Sequence, residues 1–198
     1  YSVGINIGQS AIKAVVVHGD QILHDSKITI ATPKTFEEVK RATNNLISRY
    51  LTQFNVSCIG ICVGGIVRWG ALTTKSGVSI AWSQNEFVQF QNIASDTVRE
   101  FGITTTLYQD MLCSGYSIAY YQSVKNTLVL GLGTSTGGIY INQEGEIPDF
   151  LNQVGRVAID LSDDAIARFD GKAKGVVSQY FSINGLKQLS SNDLNVVT

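Results

Sequence analysis

The sequence predicts an α/β protein built from two lobes, and three observations support that fold class. The first thirty residues are apolar, β-branched runs separated by Gly-containing turns, as in strands. The pattern then changes to helical spacing over about 35–54 and to a nearly continuous apolar run over 56–63, so helix and strand alternate. A glycine-bearing hairpin near the N-terminus is echoed near residue 130, which indicates a duplicated unit.

Local signals place the individual elements in chain order. Thr35 and Glu38 fit a capping box, in which each side chain satisfies a backbone N–H of the first helical turn, so a helix should begin there. Gly102 should end a later helix, and residues 66–72 should continue the first sheet. Strands of the first lobe, joined in one mixed sheet, are predicted near 3–7, 12–17, 22–30, 56–63 and 104–108. Helices are predicted near 35–54, 90–101 and 110–122, and strands of the second lobe near 127–132 and 139–142. The first lobe should comprise residues 1–118 and the second 119–198.

The composition excludes several classes of protein. With 44% hydrophobic and 16% charged residues, the chain is too apolar and too weakly charged to be disordered. Its net charge of −1 argues against direct nucleic-acid binding and against attachment to anionic lipid by bulk charge. Each apolar run ends before the roughly 18 residues that a membrane-spanning helix needs, and the N-terminus does not read as a secretory signal. We therefore expect a cytoplasmic protein with no membrane partner.

The cysteines and tryptophans are predicted to have structural roles. Cys58, Cys62 and Cys113 are an odd number with no CxxC pair, which favours free thiols in a reducing cytosol. Cys58 and Cys62 share one face of an apolar strand, where core packing is a more ordinary role than metal binding. Trp69 and Trp82 are expected in the core or in the wall of a pocket.

Two Gly-containing turns have the composition of a phosphate-binding nest. Residues 130–137 can be laid over residues 5–12, which places Gly133 on Gly8 and Ser135 on Ser10. Gly combined with Ser or Thr exposes backbone N–H groups and hydroxyls that attract anions. A plain hairpin turn is the alternative for each segment. Neither segment is a Walker loop, and neither has the strand–GxGxxG–helix setting of a dinucleotide fold.

Asp110 is the candidate for acid–base chemistry. It follows the strand predicted at 104–108 and begins the next predicted helix, so its carboxylate should lie at the carboxyl end of the sheet. Ligands of α/β proteins bind at that end, and a general base could act there. An N-cap that serves only the helix is the alternative.

Five segments together resemble the motifs of the ROK family (repressors, open reading frames and kinases) of the sugar-kinase, actin and Hsp70 superfamily. They occur in the family's order and approximate spacing over residues 3 to about 160. The segments are 6–11 for D-x-G-G-T-K, 60–68 for G-I-x-x-P-G-x-V-D, 108–113 for E-N-D-A-N-A, 132–139 for L-G-T-G-I-G-G-G and 152–156 for G-E-I-G-H.

The resemblance implies a fold, an activity and a site. The fold is the two-lobed actin-like ATPase (ribonuclease H-like) fold with a mixed sheet in each lobe, the second lobe being incomplete. The activity is ATP-dependent phosphorylation of a hexose or amino sugar, with Mg²⁺ as cofactor, and a homodimer is compatible with it. Asp110 is the implied catalytic residue. The implied phosphate and ATP contacts are Asn6, Gly8, Gln9, Ser10, Lys13, Gly133, Thr134, Ser135, Gly137 and Gly138. The implied sugar contacts are Gln109, Asp110, Gln153 and Arg156.

Several positions depart from the family pattern. Asn6 replaces an Asp expected to help hold Mg²⁺ and phosphate, Gln153 replaces a sugar-binding Glu, and Arg156 replaces a His. The segment 168–175 contains no Cys, so the family's zinc site cannot form there and no zinc is expected. The chain is also shorter than a typical member, so these 198 residues alone are expected to be inactive. Two alternatives to a kinase are a non-catalytic sugar-binding sensor module, as in ROK transcriptional repressors, and a structural member of the superfamily with neither activity.

Overall fold

The computed structural model describes residues 1–133, 135–148, 154–167 and 173–192. The chain separates into two units, Tyr1–Asp110 and Met111–Thr198. The strands of unit 1 are β1 (Ser2–Ile7), β2 (Ala11–His18), β3 (Gln21–Ala31), β4 (Cys58–Val63), β5 (Val67–Arg68), β6 (Ala71–Leu72) and β7 (Thr104–Gln109). Its helices are α1 (Phe36–Leu51), α2 (Gln84–Gln91) and α3 (Ile93–Phe101).

A five-stranded mixed sheet, in the order β3-β2-β1-β4-β7, organises unit 1. β1, β2 and β3 form an antiparallel meander, whereas β4 pairs in parallel with β1 and β7 pairs in parallel with β4. The register aligns Ile7, Val63 and Gln109, so the three parallel strands end side by side. This common carboxyl end is where the fold exposes the residues that follow each strand.

The core of unit 1 lies on one face of this sheet. Val3, Ile5 and Ile7 alternate with half-buried residues along β1 and are almost completely buried. α1 contributes its buried apolar positions to the same hydrophobic cluster, among them Phe36 and Ile47. Burying each such side chain contributes about 1.5–3 kcal/mol, so this face accounts for much of the stability of unit 1.

The helix start predicted at Thr35 is confirmed. The Thr35 hydroxyl accepts a hydrogen bond from the Glu38 N–H (3.3 Å), and the Glu38 carboxylate accepts one from the Thr35 N–H (3.4 Å). A second capping box, between Ser83 and Glu86, begins α2 and was not predicted. The helix predicted near 90–101 is confirmed as α3, which ends at Phe101 before Gly102 in the left-handed conformation (φ +69°), as predicted.

Three sequence predictions for unit 1 are wrong. Residues 66–72 do not continue the sheet but form a separate hairpin, in which two residues of β5 pair with two residues of β6. Cys58 is exposed and Cys62 half-buried on the face opposite the core, so neither is a core residue. Trp82 is buried as expected, whereas Trp69 is 96% exposed in the turn between β5 and β6.

Unit 2 is built on one antiparallel hairpin. Its elements are α4 (Asp110–Gln122, whose first residue belongs to unit 1), β8 (Thr127–Leu132), β9 (Thr136–Ile141), α5 (Val177–Tyr180) and α6 (Ile183–Asn192). β9 begins three residues earlier than predicted, whereas α4 and β8 have the predicted bounds. Buried Ile139, Ile141 and Ile147 form its core with side chains of α4. Among the described residues, no helix combines the length and the apolar character needed to cross a membrane.

Candidate active site

Four polar or reactive side chains form a row across the sheet of unit 1. The register pairs Lys13 with Asn6, Asn6 with Cys62, and Cys62 with Tyr108. Residues paired in this way share a face, and here it is the face opposite the core, called the polar face below. Neighbouring strands lie about 4.8 Å apart, so Asn6 and Tyr108 are separated by roughly 10 Å across β4. The row lies one residue before the common carboxyl end of the parallel strands.

Asn6 holds a buried polar atom without a partner. Its side-chain oxygen Oδ1 is inaccessible to solvent and accepts no hydrogen bond from any described residue. An unsatisfied acceptor of this kind typically costs about 1–3 kcal/mol, and native proteins rarely keep one without a reason. Asn6 therefore marks a position at which a ligand, an ion or a bound water would supply the missing partner.

Asp110 lies at the same end of the sheet, directly after β7. It is half-buried and begins α4. A Cβ placed on Gly64, in the turn after β4, would lie 3.6 Å from the Asp110 Oδ2 atom. The carboxylate thus rests against the backbone of Gly64, and the absence of a side chain on Gly64 leaves room beside it. The strand–helix junction predicted from the sequence is confirmed, while the catalytic role of Asp110 stays a prediction.

Ser76 is a residue near Asp110 that sequence reasoning missed. Its hydroxyl lies 4.0 Å from the same Cβ position on Gly64, so Asp110 and Ser76 both approach Gly64. Gly65 makes this possible because it adopts φ +123°, a conformation that L side chains rarely adopt, with Leu72 and Ser76 packed tightly against it. Ser76 stands in a segment without hydrophobic periodicity, so no local signal in the sequence indicated that it would lie near Gly64.

Gln109 and Tyr108 lie on opposite faces of the sheet, which the family resemblance did not predict. Gln109 is only 7% exposed and lies on the core face of β7, in register with Ile7 and Val63. Tyr108, by contrast, is 42% exposed and shares the polar face with Asn6. Gln109 could therefore contact a sugar only beyond the carboxyl end of β7, whereas Tyr108 is itself a member of the row.

The turn between β1 and β2 is closed by its own backbone. The Gly8 N–H donates to the Ala11 carbonyl (3.1 Å), and the Thr32 hydroxyl donates to the Gly8 carbonyl (2.7 Å). The N–H of Gly8 is therefore already used within the turn. Gln9 and Ser10 are exposed at its tip, and they are the turn residues that remain accessible to a phosphate.

The turn between β8 and β9 in unit 2 follows the same principle. The Gly133 N–H donates to the Ser135 carbonyl (3.1 Å), while Ser135 itself is exposed. Cβ atoms on Gly137 and Gly138 would lie 2.4 Å from the Met111 side chain and 2.7 Å from that of Val154. These two glycines thus have a packing reason for lacking side chains. Thr134 lies outside the described residues.

Arg156 is exposed at the end of a short 3-10 helix, Val154–Arg156, in unit 2. The preceding Gly155 packs directly on the Thr136 carbonyl, where a Cβ would lie only 1.9 Å from the oxygen. This contact ties Arg156 to the start of β9. Gln153, the second predicted sugar contact of this segment, lies outside the described residues.

Hydrogen bonds organise the segment after Arg156. The Tyr180 hydroxyl donates to Asp160, and the Ser162 hydroxyl donates to the same carboxylate (2.6 Å). These bonds, that from Ser162 first, hold the pKa of Asp160 below its usual value, and the bond to Asp160 raises the pKa of Tyr180.

Within the described residues, no three His, Cys, Asp or Glu side chains cluster closely enough to hold a metal ion. The expectation of no zinc stays a prediction, because residues 168–172 are not described.

The oxygens of Asn6 and Asp110 at the carboxyl end of the sheet suit a hydrated Mg²⁺ ion. Mg²⁺ prefers oxygen ligands and keeps several waters, and Asn6 Oδ1 and the Asp110 carboxylate are oxygens at one end of the sheet. A phosphate oxygen has no proton to donate at neutral pH, so it would not satisfy Asn6 Oδ1. A cation, a metal-bound water or a sugar hydroxyl would. The residues present therefore fit a hydrated cation, although Asn6 brings no charge.

Comparison with known proteins gives one consistent family. The model of the ROK family matches residues 2–147. A ROK family glucokinase from Streptomyces griseus, in complex with glucose and AMPPNP, matches over 98% of this chain and 62% of its own, with a TM-score of 0.77 and 20% identity. A ROK hexokinase from Thermus thermophilus matches over 98% and 64%, with a TM-score of 0.71 and 20% identity. A ROK family transcriptional regulator, a homologue of the E. coli MLC protein, matches over 99% and 50%, with a TM-score of 0.73 and 12% identity.

These findings confirm the predicted fold class and the predicted family. The structural likenesses, at 12–20% identity, show the α/β actin-like fold of the sugar kinases. The chain spans less than two thirds of the length of each of these three proteins. No curated protein matches the chain significantly. Because the family model matches well over half of the sequence, the chain belongs to the ROK family.

Proposed function

We propose that the protein is a ROK-type sugar kinase with a degenerate site, which phosphorylates a hexose or amino sugar with ATP. The observation that carries this proposal is the pair of oxygens at the end of the parallel strands. Asn6 Oδ1 is buried without a partner, and the Asp110 carboxylate lies over the bare backbone of Gly64. Both features are what a site for a cation and a sugar hydroxyl requires.

Asp110 is the proposed general base. It would accept the proton of one sugar hydroxyl as that oxygen forms a bond to the γ-phosphorus, while the bond from phosphorus to the β–γ bridging oxygen breaks and ADP leaves. A base in this role typically contributes about 10²–10⁴-fold, and positioning and electrostatics supply most of the remainder. Mg²⁺, when bound, would neutralise charge on the phosphates. Asn6 would hold the cation or one of its waters through Oδ1.

The remaining proposed roles are contacts to phosphate and to sugar, and the phosphate contacts are assigned to exposed residues of each unit. In unit 1, Gln9, Ser10 and Lys13 are exposed and would contact phosphate, with Gly8 closing the turn. In unit 2, exposed Ser135 and the neighbouring Thr134 would do so. Gly133, Gly137 and Gly138 would keep that turn narrow. Arg156, Gln153, Gln109 and Asp110 remain the proposed sugar contacts, to which the geometry adds Ser76.

A sensor module is the second candidate, and the neutral side chain of Asn6 favours it. Where the family has a carboxylate, Asn6 brings no negative charge, so Mg²⁺ would be held more weakly than in an active kinase. A protein of this kind would bind sugar without turnover. Either form of the proposal includes four further expectations. The site holds no zinc, the protein is cytoplasmic, this segment does not bind nucleic acid, and the chain forms a homodimer.

Substitution of Asp110 by Asn tests the kinase proposal. Asn keeps the size of the side chain but cannot accept the proton, so turnover by the whole protein should fall at least ~10²-fold while sugar affinity changes little. ADP release measures turnover, and calorimetry with a panel of hexoses and N-acetylhexosamines measures binding. Asp96→Asn, a change to a surface carboxylate of unit 1 that pairs with Lys40 and Arg99, is the control and should leave both unchanged.

The outcomes separate the two candidates. Sugar binding without turnover in the whole protein would favour the sensor module. Turnover that survives Asp110→Asn would show that the catalytic assignment is wrong. Loss of sugar binding together with turnover would make Asp110 a sugar ligand rather than a base.

A further inference from the structure

The turn between β5 and β6 carries Trp69 in a conformation that suits its side chain poorly. Arg68 pairs with Ala71, so Trp69 and Gly70 are the two residues of the turn, and both have a positive φ (+51° and +77°). A two-residue hairpin turn of this kind is of type I′, in which the first residue is ordinarily Asn, Asp or Gly. A bulky side chain is disfavoured in this left-handed conformation, so the turn itself does not explain Trp69.

Packing does not explain Trp69 either. The residue is 96% exposed, and a Cβ placed on the neighbouring Gly70 would meet no atom within 4 Å. Trp82, the other tryptophan of the sequence, is only 5% exposed and donates its indole N–H to the Lys34 carbonyl (3.0 Å). Strained backbone that packing does not require is found chiefly at functional sites.

The base of the β5–β6 hairpin is firmly held. Leu72 is fully buried, and its carbonyl accepts a hydrogen bond from the side-chain amide of Gln91 in α2 (2.6 Å). The Thr73 N–H donates to the Ile66 carbonyl (2.7 Å), which closes the hairpin at its base. The indole of Trp69 is therefore presented from a fixed support, and a ligand that stacks on it would not have to order the hairpin first.

The same base adjoins the candidate active site of unit 1. Gly64, directly before Gly65 at the start of the hairpin, lies against the Asp110 carboxylate. β5 also contacts β7, the strand that Asp110 follows. Four residues of chain from Gly65 to Trp69 span at most about 14 Å. A sugar ring linked to one that is held beside Asp110 would reach across a separation of this size.

The tip of the hairpin suits a ligand the size of one ring better than a protein. Among residues 60–79, all of which the structure describes, the exposed ones are Arg68, Trp69, Gly70 and Thr73. A protein–protein interface of standard size covers about 800 Å² of each partner around an apolar centre, which one indole beside a cation does not provide. The C–H face of a sugar ring, by contrast, packs well on the negatively polarised face of an indole, and the Arg68 guanidinium offers donors for hydroxyl groups.

We propose that Trp69 forms an outer sugar subsite beside the candidate active site, so that the ligand is a disaccharide or another glycoside rather than a free monosaccharide. The first ring lies next to Asp110, and the second ring stacks on the indole of Trp69. This inference rests on the proposed function, because the first ring occupies the sugar site proposed there. It concerns binding, however, and does not require phosphoryl transfer.

Calorimetry on the whole protein without ATP tests the subsite. Glucose and N-acetylglucosamine are compared with maltose, cellobiose and N,N′-diacetylchitobiose. We expect at least one disaccharide to bind at least ~10-fold more tightly than its monosaccharide, since the second ring buries apolar surface on the indole. Trp69→Ala should abolish this advantage and leave the affinity for the monosaccharide unchanged. Tyr120→Ala removes an aromatic side chain that is 70% exposed in unit 2, and it should preserve the advantage.

A second variant separates binding from folding. Trp69→Asn creates the Asn-Gly pair that type I′ turns prefer, so the urea midpoint of unfolding should rise. The same variant should lose the preference for the disaccharide, because the stacking surface is gone. Greater stability together with weaker disaccharide binding is expected of a residue kept for a ligand. A residue kept for the fold would show lower stability instead.

Three results would overturn the outer subsite. They are equal affinities for monosaccharides and disaccharides, including the absence of any binding, a disaccharide advantage that survives Trp69→Ala, and a lower urea midpoint in Trp69→Asn. A disaccharide advantage that depends on Trp69 but is accompanied by no release of ADP when ATP is added would support the subsite and overturn the kinase proposal. The failure of one proposal is therefore distinguishable from the failure of the other.

Discussion

At the scale of single residues, Asn6 carries the most information about the site. A neutral amide on the polar face, with Oδ1 buried and without a partner, is a poor structural choice, because an apolar side chain would avoid the cost of desolvation. Its neighbours in the row, exposed Lys13 and half-buried Cys62, lie on the same face, outside the core. The arrangement is therefore better explained by a ligand than by folding.

Substitution of Asn6 by Asp should restore the affinity for Mg²⁺. The added carboxylate is expected to lower the KM for MgATP. It should also make thermal stability depend on Mg²⁺, because a buried charge without a counterion is destabilising. Melting curves with and without Mg²⁺ measure the second effect independently of activity. Thr106→Asp, on the same face of β7 but exposed and outside the row, is the control. If Mg²⁺ stabilises both variants equally, Asn6 does not face the cation.

The sequence predicted some of these residues and not others for identifiable reasons. Asp110 was placed correctly at a strand–helix junction because the change of periodicity there is sharp. The burial of Gln109 was not predicted, since the polar sequence of β7 shows no apolar alternation that would fix its face. Ser76 reaches Gly64 only through the tertiary path of the β5–β6 hairpin, which no local signal encodes.

At the scale of elements, strong local signals determined what could be predicted. α1 combines a capping box with an apolar stripe, and both are present in the structure. The β5–β6 hairpin was assigned to the main sheet because two-residue strands have no periodicity to distinguish them. α3 and its end at Gly102 were predicted, whereas α2 was missed because it begins in a polar stretch without a clear helical period.

Loss of the α1 cap should destabilise unit 1 by a modest amount. Thr35→Ala removes the side-chain acceptor for the Glu38 N–H, and we expect the free energy of unfolding to fall by about 1 kcal/mol, within a range of roughly 0.5–2 kcal/mol. Urea denaturation measures this change. Thr35→Ser keeps the hydroxyl and should retain most of the stability. If Thr35→Ser lost as much free energy of unfolding as Thr35→Ala, the methyl group of Thr35 and not its hydroxyl cap would be responsible.

The same cap should contribute to the pH dependence of stability. Hydrogen bonds from the side chain and then the backbone of Thr35 lower the pKa of Glu38 from its ordinary value of 4.5. A group with a lowered pKa stabilises the folded state above its unfolded pKa, and this contribution is lost as the pH falls through the folded pKa. As the pH is lowered from neutral to below 4.5, the unfolding midpoint of Thr35→Ala should therefore decrease less steeply than that of the unaltered protein.

At the scale of the whole molecule, the two units differ in how much core each contains. Unit 1 holds a large cluster of buried apolar residues, whereas among the described residues of unit 2 the buried members of the cluster are Ile139, Ile141 and Ile147. The fold class was predictable because alternation of strand and helix is a global pattern. The small core of unit 2 was not predictable, since the apolar sequence of β8 does not show that Leu128, Leu130 and Leu132 are exposed.

This difference predicts that unit 2 opens more readily than unit 1 in the 198-residue polypeptide. Amides of β8 and β9 should exchange with deuterium faster than those of β1 and β4, because sub-global opening is cheaper where few apolar contacts must break. Ile61→Ala and Ile139→Ala delete the same atoms at sites that are both 0% exposed, one in each unit. Each deletion should cost about 2–5 kcal/mol and accelerate exchange in its own unit. Equal exchange in both units, with each variant accelerating both together, would instead show that the two units unfold as one cooperative body.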